Sequence, residues 1–186
     1  MSYGKLLDMT DSITSHVLQC FAIDYFEAYV PPYFFIVGAS SSGKYHPTFA
    51  QGEGGLVRHT IAVCMILEEL LRMEPYCKMS NRDKDLARIA CLCHDTRKYG
   101  AYEEMDKAAF DNHAQLAADA VNEYWRECFG KPAPRKLRRA IACHMGQWEK
   151  TGKARPRTRL DKVVHLADYL ASRSFIDIAE LKEPRE

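Results

Sequence analysis

The sequence predicts an all-α protein with a single domain, and three observations support this fold class. Apolar residues recur mostly at steps of three and four along the chain, which is the spacing of an amphipathic helix. Glycine or proline bounds most of the periodic segments, as these residues do at helix ends. The chain has 186 residues, of which 47% are hydrophobic. This length and composition are sufficient to bury one core without help from disulfides.

The N-terminal part has helical spacing from Leu6 to Phe21 and is closed by Pro31-Pro32. We therefore predict one N-terminal helix within residues 1–32 that packs on the core. Residues 33–37 read YFFIV, a continuous aromatic and β-branched run that leads into a serine-rich loop. This run predicts a short extended segment, the one non-helical apolar segment of the chain.

Five further helices are predicted from their start and stop signals. They run from just after Gly54-Gly55 to Glu74-Pro75, from Ser80 to His94-Asp95, from Asp111 or Asn112 to Phe129, from Pro134 to about Met145, and from Arg159 to about Arg173. The second of these begins with a capping-box-like pattern at Ser80 and Asp83. We expect residues 33–173 to form the main unit and residues 174–186 a C-terminal tail, all within one domain.

The charge of the chain is balanced overall and concentrated locally. Lys and Arg number 26 against 25 Asp and Glu, which excludes an acidic solvating protein and a basic tail for nucleic acid. Residues 131–162, however, hold eleven basic side chains and two acidic ones. Such a segment can hold a polyanion such as single-stranded nucleic acid, or can form an ordinary solvated surface. The sequence leaves both interpretations open.

Cysteine usage and the N-terminus bear on the location of the protein. The seven cysteines are odd in number, lack a short regular spacing and lie mostly within apolar helical patterns. This is typical of reduced, buried thiols, so we expect a cytoplasmic protein. The N-terminus lacks a basic start with an apolar core, and no run approaches the ~18 apolar residues that cross a bilayer. No export and no membrane partner are expected.

Six residues of the types that bind metals fall on the predicted helices, five of them toward helix ends where several helices can converge. They are His59, His94, Asp95, His113, His144 and Asp168. Imidazole nitrogens with carboxylate oxygens suit Mn²⁺, Fe²⁺, Co²⁺, Ni²⁺ or Zn²⁺. A single helical histidine is usually structural, so the hypothesis of a metal site depends on the set of six.

The pair His94-Asp95 is the most informative part of the set. Adjacent helical residues point about 100° apart, so both reach one ion only if it lies over the helix between them. The alternative is an aspartate that helps to stop the helix. Lys98 falls on the same side as His94 and Asp95, where its ammonium can meet a substrate phosphate.

In order and local sequence, these residues resemble the HD-domain metal-dependent phosphohydrolases, over roughly residues 33–173. The resemblance rests on GlyGlyLeuValArgHisThr around His59, CysHisAspThrArgLys around His94, and AlaAspTyrLeu around Asp168. It implies an HD-domain helical bundle in which His59, His94, Asp95 and Asp168 bind one divalent ion. In binuclear members two further histidines, here His113 and His144, serve a second ion, and the central aspartate bridges both.

The resemblance also implies an activity and its catalytic residues. A metal-activated hydroxide would cleave a phosphoester of a nucleotide or of a nucleic-acid end, with Asp95 and Lys98 as catalytic residues. Lys98 would offset charge in the transition state. The cofactor would be one or two divalent ions: Mn, Fe, Co, Ni, Zn or Mg. His165, three residues before Asp168, matches a variable position of the family pattern and is interpreted as structural.

Alternatives to a small nucleotide substrate stay open. SerGlyLysTyrHisPro ahead of GlyGlyLeuValArgHisThr is similar to the HD portion of YhaM-type 3′-to-5′ exoribonucleases, in which case the basic segment 131–162 would hold the strand. A non-catalytic module that senses a nucleotide or binds metal is a third hypothesis. The cyclic-di-GMP branch is disfavoured because its GlyTyrPro signature is missing. The sequence does not predict an oligomeric state.

Candidate substrate contacts lie outside the ligand set. They are Lys44 and His46 in the glycine-serine loop, and Arg157 and Arg159 ahead of the last helix. Trp148 and Tyr102 can stack on a base, although aromatic residues at such positions are more often part of a core.

Overall fold

The computed structural model describes residues 2–40, 46–100, 106–148 and 155–181. Seven α-helices lie in these ranges: α1 Ser2–Asp8, α2 His16–Ala28, α3 Gly55–Leu70, α4 Asn81–Cys93, α5 His113–Phe129, α6 Arg135–Ala142 and α7 Arg159–Ala171. Short 3-10 turns connect several of them, and the described ranges contain no strand. The prediction of an all-α fold is confirmed.

The centre of the fold is a bundle in which α3, α4, α6 and α7 pack against one another. Helix α5 packs along α6, α1 lies against α3, and α2 contacts α4 and α5. Each central helix contributes fully buried aliphatic side chains, among them Leu67, Ile89, Leu137 and Val163. The predicted three- and four-residue spacing thus corresponds to the stripes by which these helices bury their apolar surface.

The N-terminal segment differs from the single helix that its periodicity predicts. Helix α1 ends at Asp8, a 3-10 turn spans Met9–Ser12, and the chain is extended at Ile13 and Ser15 before α2 begins. The carboxylate of Asp85 on α4 explains the break. Its oxygens accept hydrogen bonds from the backbone N–H of Thr14 at 2.9 Å and of Ser15 at 3.1 Å. These bonds hold the chain in a non-helical conformation that the apolar spacing does not reveal.

The extended segment predicted for residues 33–37 is wrong. Pro32–Phe35 form a 3-10 turn, in which Phe34 N–H donates to Pro31 and Ile36 N–H donates to Tyr33. Because buried backbone groups need partners, a lone strand with no neighbouring strand would leave its hydrogen bonds unmade. The local turn satisfies those groups while Phe34 stays fully buried in the core.

The remaining helices match the prediction, with differences at their ends. Ser80 accepts a hydrogen bond from Asp83 N–H at 3.1 Å, which is the predicted cap of α4. Helix α4 ends at Cys93, and residues 94–99 continue as tight turns with bonds of the i to i+3 type. Helix α6 ends at Ala142, before the predicted Met145. Both helices therefore stop close to a candidate ligand.

Two further expectations concern cysteines and membrane spans. All seven cysteines are free thiols, and four of them are buried. The cytoplasmic location stays a prediction. No helix in the described ranges combines the length and the apolar character needed to span a bilayer.

Asp85 is the polar link between the N-terminal segment and the bundle, and its removal should destabilise the protein. Its carboxylate is buried, pairs with Arg88 at 3.0 Å, and bonds to Thr14 and Ser15. We expect Asp85→Ala to lower the free energy of unfolding by about 3 kcal/mol, because two backbone N–H groups and the Arg88 guanidinium lose a buried, charged acceptor. Denaturant unfolding followed by circular dichroism measures this change.

Asp83→Ala on the same helix is the matched control. Asp83 pairs with Lys136 in a contact whose lysine is 61% exposed, so a loss of about 1 kcal/mol or less is expected. Equal losses for the two variants would show that the Asp85 contacts do not stabilise the fold.

Candidate metal centre

The structure brings all six predicted ligand-type residues into one site at the centre of the bundle. Each comes from a helix or its end: His59 from the second turn of α3, His94 and Asp95 from the turn after α4, His113 from the start of α5, His144 from the turn after α6, and Asp168 from α7. Five of them are buried, and the side chain of Asp168 is 14% exposed. Helix packing therefore brings six polar side chains together in one site.

The donor atoms form two groups, and the first contains His59, His94 and Asp168. Nε2 of His59 lies 3.4 Å from Nε2 of His94 and 3.2 Å from Oδ1 of Asp168. Nε2 of His94 lies 3.7 Å from the same oxygen of Asp168. Oδ2 of Asp95 lies 3.6 Å from His94 Nε2 and 4.0 Å from His59 Nε2. Four donor atoms thus surround one point.

The second group lies on the other side of the Asp95 carboxylate. Oδ1 of Asp95 is 3.1 Å from Nε2 of His113 and 3.5 Å from Nε2 of His144. These two imidazole nitrogens are 3.3 Å from each other. Each oxygen of Asp95 therefore faces a different pair of imidazoles.

Backbone carbonyl groups fix the orientation of three of the four imidazoles. Nδ1 of His94 donates to Cys91 O at 2.7 Å, and Nδ1 of His144 donates to Ile141 O at 2.8 Å. Nδ1 of His113 donates to Phe110 O at 2.5 Å. Because Nδ1 is the donor in each of these bonds, Nε2 is the nitrogen that faces the site, as in metal-binding histidines.

The donor set fits divalent cations. Ligands about 2.1 Å from a tetrahedral or octahedral ion lie roughly 3 to 3.5 Å from one another, and most of the donor separations fall near that range. Facing imidazole lone pairs repel unless a positive charge lies between them. Oδ1 of Asp95 is buried and receives no hydrogen bond of acceptable geometry from the described residues. A cation supplies what this oxygen and these lone pairs lack.

The electrostatics of the site keep the carboxylates charged and one imidazole neutral. Burial would raise the pKa of Asp95, but the Lys98 ammonium and the surrounding imidazoles outweigh burial and hold that pKa well below its usual range. The neighbouring histidines likewise lower the pKa of Asp168 against the effect of burial. Burial lowers the pKa of His94 to about 4. At neutral pH these three residues are in the protonation states that bind metals.

Lys98 lies where the sequence places it, although the backbone there is not helical. The turns after α4 bring its Nζ 2.5 Å from Oδ2 of Asp95, and the residue is buried. Nζ also lies 5.8 Å from the ring centroid of Phe110. The ammonium therefore stands at the edge of the donor cluster, beside the carboxylate that both groups share.

The predicted substrate contacts fall in different places. The ring of His46 lies 5.3 Å from the ring of His59, and burial followed by the charge of nearby groups lowers the pKa of His46 to about 3. Lys44 and Tyr102 lie outside the described residues. Arg157 and Arg159 are exposed at the start of α7, and Arg159 is nine residues, or about 14 Å of helix, from Asp168. Among the described ones, His46 is the contact that lies next to the donor cluster.

His165 has a positioning role that its place in the sequence does not reveal. Its Nδ1 donates to the backbone carbonyl of His144 at 2.6 Å. Gly146 adopts a positive φ of 58°, and a Cβ at this residue would overlap the imidazole of His165. The contact joins the turn that carries His144 to the helix that carries Asp168. A glycine two residues after a ligand-type histidine is the one signal of this contact in the sequence.

Comparison with known proteins assigns the family. The sequence profile of the HD domain matches residues 56–173. The chain belongs to the HD domain family. The resemblance drawn from the order of His59, His94-Asp95 and Asp168 is thereby confirmed, since the matched range includes all three motifs.

One relative indicates the kind of chemistry found in similar chains. The dihydroneopterin 2′,3′-cyclic phosphate phosphodiesterase of Methanocaldococcus jannaschii is 29% identical over 123 residues, which cover 65% of this chain and 47% of the relative. The chain thus spans about half the length of this relative. No solved structure gives a significant match.

The contact between Gly146 and His165 predicts a strong effect of one added methyl group. We expect Gly146→Ala to lower the free energy of unfolding by about 3 kcal/mol or more, because left-handed strain adds to overpacking against the imidazole. Gly130→Ala is the control, since Gly130 has a φ of 64° and open space at its Cβ position. The free energy of unfolding of this variant should fall by about 1 to 2 kcal/mol, because it acquires backbone strain without overpacking. Matching losses in urea unfolding would contradict the contact.

Proposed function

We propose that this protein is a metal-dependent phosphohydrolase that cleaves a phosphoester of a small, nucleotide-like molecule. The observation that carries the proposal is the position of Asp95, whose two oxygens face separate pairs of imidazoles while Lys98 lies 2.5 Å away. A charged carboxylate between two donor groups suits a pair of cations that act on one phosphoryl group. Membership of the HD domain family supports the same reaction class.

The proposal assigns ligands by group. His59, His94 and Asp168 would hold one ion with Oδ2 of Asp95, and His113 and His144 would hold a second with Oδ1. Bound divalent ions supply Lewis acidity, which lowers the pKa of water and polarises phosphoryl oxygens. The protein fixes the donors in advance, because carbonyl bonds orient three imidazoles and burial excludes competing water.

Lys98 and His46 are the proposed contacts of the phosphate. The ammonium of Lys98 is held beside Asp95 and can donate from Nζ to a phosphoryl oxygen, where it balances charge that grows in the transition state. The ring centroids of His46 and His59 are 5.3 Å apart. His46 would therefore contact the same phosphate from the side of the glycine-serine loop. Both residues bind and orient the ester without breaking bonds themselves.

A small ester fits the observations better than a long strand. The relative from Methanocaldococcus jannaschii is named for a cyclic phosphodiester of a heterocyclic compound. Part of the basic segment 131–162 is occupied by internal contacts, since Arg139 pairs with Asp161 at 2.9 Å and Lys136 pairs with Asp83 at 3.0 Å. We therefore infer a nucleotide or a related cyclic ester as substrate.

The 3′-to-5′ exonuclease is the alternative that the exposed arginines favour. Arg157 precedes α7 and Arg159 begins it, about 14 Å of helix from Asp168, so they would touch only a substrate several nucleotides long. A 3′-labelled single-stranded oligonucleotide tests this alternative. Release of mononucleotides that weakens when both arginines become alanine would replace the small-ester proposal.

The reaction itself is tested with a panel of substrates and two matched variants. With Mn²⁺, the wild type should hydrolyse at least one of a nucleoside monophosphate, a nucleoside triphosphate, a 2′,3′-cyclic nucleotide and a 3′,5′-cyclic nucleotide. Asp95→Ala should abolish both turnover and metal content. Lys98→Met should keep the metal and lower kcat by about 10² to 10³-fold, because it removes charge stabilisation alone.

Two results would contradict this function. Because Asp95 is buried in the bundle, the circular dichroism spectrum of Asp95→Ala is compared with that of the wild type to show that the variant is folded. A folded Asp95→Ala variant that retains a tenth of wild-type turnover rules out the metal mechanism. Nucleotide binding by the wild type without turnover in any metal would instead identify the non-catalytic sensing module.

The number of ions is tested by metal analysis of a single variant. We expect about two ions per chain in the wild type and about one in His113→Ala, because this substitution removes a donor from the second group alone. Inductively coupled plasma mass spectrometry of the dialysed proteins gives the stoichiometry. His16→Ala, on the partly exposed N-terminal turn of α2, is the control and should match the wild type. Unchanged metal in His113→Ala, with turnover lost, would assign this histidine to the substrate.

A further inference from the structure

An aromatic and cationic cluster lies on the face of α7 next to the one that carries Asp168. His165 and Tyr169 lie four residues apart on this face, Arg173 follows four residues later just after the end of α7, and Trp148 covers the face from the turn after His144. The rings of Trp148 and Tyr169 are nearly parallel, with centroids 5.2 Å apart and an interplanar angle of 13°. We call these four residues the aromatic shelf.

Three observations separate this shelf from ordinary core packing. Trp148 is 44% exposed, although burial of its large ring would be favourable. The other tryptophan, Trp125, is 4% exposed and packs against Phe21 and Phe129 in the core. A guanidinium stands over the shelf, since Cζ of Arg173 is 4.4 Å from the Tyr169 centroid and 5.7 Å from that of Trp148.

Two segments connect the shelf to the donor cluster, namely α7 and the turn that carries His144. Tyr169 follows Asp168 directly, so their Cα atoms are about 3.8 Å apart and their side chains diverge by about 100°. Trp148 follows His144 by four residues, and His165 of the shelf bonds to the His144 carbonyl. The shelf therefore adjoins the two segments that carry His144 and Asp168 of the donor cluster.

We propose that the aromatic shelf binds the planar heterocycle of the substrate, with the ring stacked on Trp148. This inference rests on the proposed function and specifies its substrate class as phosphoesters that carry a nucleobase-like ring. Indole and phenol faces stack on any base, and a guanidinium adds attraction for a π-system and for nearby negative charge.

Fluorescence offers a direct test because the chain has only two tryptophans and one of them is exposed. With Mn²⁺ bound, the wild-type protein would hydrolyse its substrate during the titration. The titration therefore uses Ca²⁺ in place of Mn²⁺, and its two ligands are AMP and ribose 5-phosphate. AMP should quench the tryptophan emission in a saturable way, whereas ribose 5-phosphate should leave it unchanged. In Trp148→Phe the quenching by AMP should disappear, because Trp125 is remote from solvent.

Affinity completes the test through isothermal titration calorimetry of the same two ligands. Trp148→Ala should weaken AMP binding by about 10-fold and leave ribose 5-phosphate within about 2-fold, since only the base loses its stacking partner. Trp148→Phe should retain AMP affinity within about 3-fold. Tyr3→Ala, which removes a different exposed aromatic ring, is the control and should match the wild type for both ligands.

The outcomes separate the shelf from the catalytic proposal. Equal weakening of both ligands in Trp148→Ala, or the absence of AMP quenching in the wild type, overturns the shelf. Neither result affects the hydrolysis expected from the substrate panel. A protein that hydrolyses none of the panel but shows Trp148-dependent binding of AMP retains the shelf and loses the catalytic proposal.

Discussion

The buried carboxylate of Asp95 is the constraint on which the rest of the site depends. A charge in the centre of a helical bundle is costly, and here it is offset by Lys98 and by imidazoles contributed by four different segments. Those segments must therefore end, turn or begin at fixed points around one carboxylate. Helices α4 and α6 meet that requirement, because each of them ends just before a ligand-type histidine.

The fold was predictable to the extent that it follows from apolar spacing. The central helices are visible in the sequence because each buries a stripe of side chains, and the six ligand-type residues are visible because their order resembles the HD-domain family. The break before α2 was not visible, because it is made by Asp85, which is seventy residues away from Ser15 in the chain. The turn at Pro32–Phe35 was likewise hidden, since an aromatic run has strand propensity whether or not a partner strand exists.

Part of the site could not be predicted from the sequence. The residue types predict metal binding, but they do not reveal that the two oxygens of Asp95 face different imidazole pairs or that His165 bonds to the turn of His144. Those relations depend on the angles at which α4, α6 and α7 cross. Arg157 and Arg159 show the opposite case, because nearness in sequence to the last helix suggested nearness to the site, while the length of α7 separates them from Asp168.

The bonds from Nδ1 to the carbonyls of Cys91, Phe110 and Ile141 have a thermodynamic consequence. An imidazole on a free side chain loses rotational entropy when it captures an ion, and this loss weakens binding. Here the hydrogen bonds to the three carbonyls already limit that freedom in the folded protein. The entropic cost of orienting these imidazoles is therefore part of the free energy of folding, and a cation that bound at this centre would not incur it.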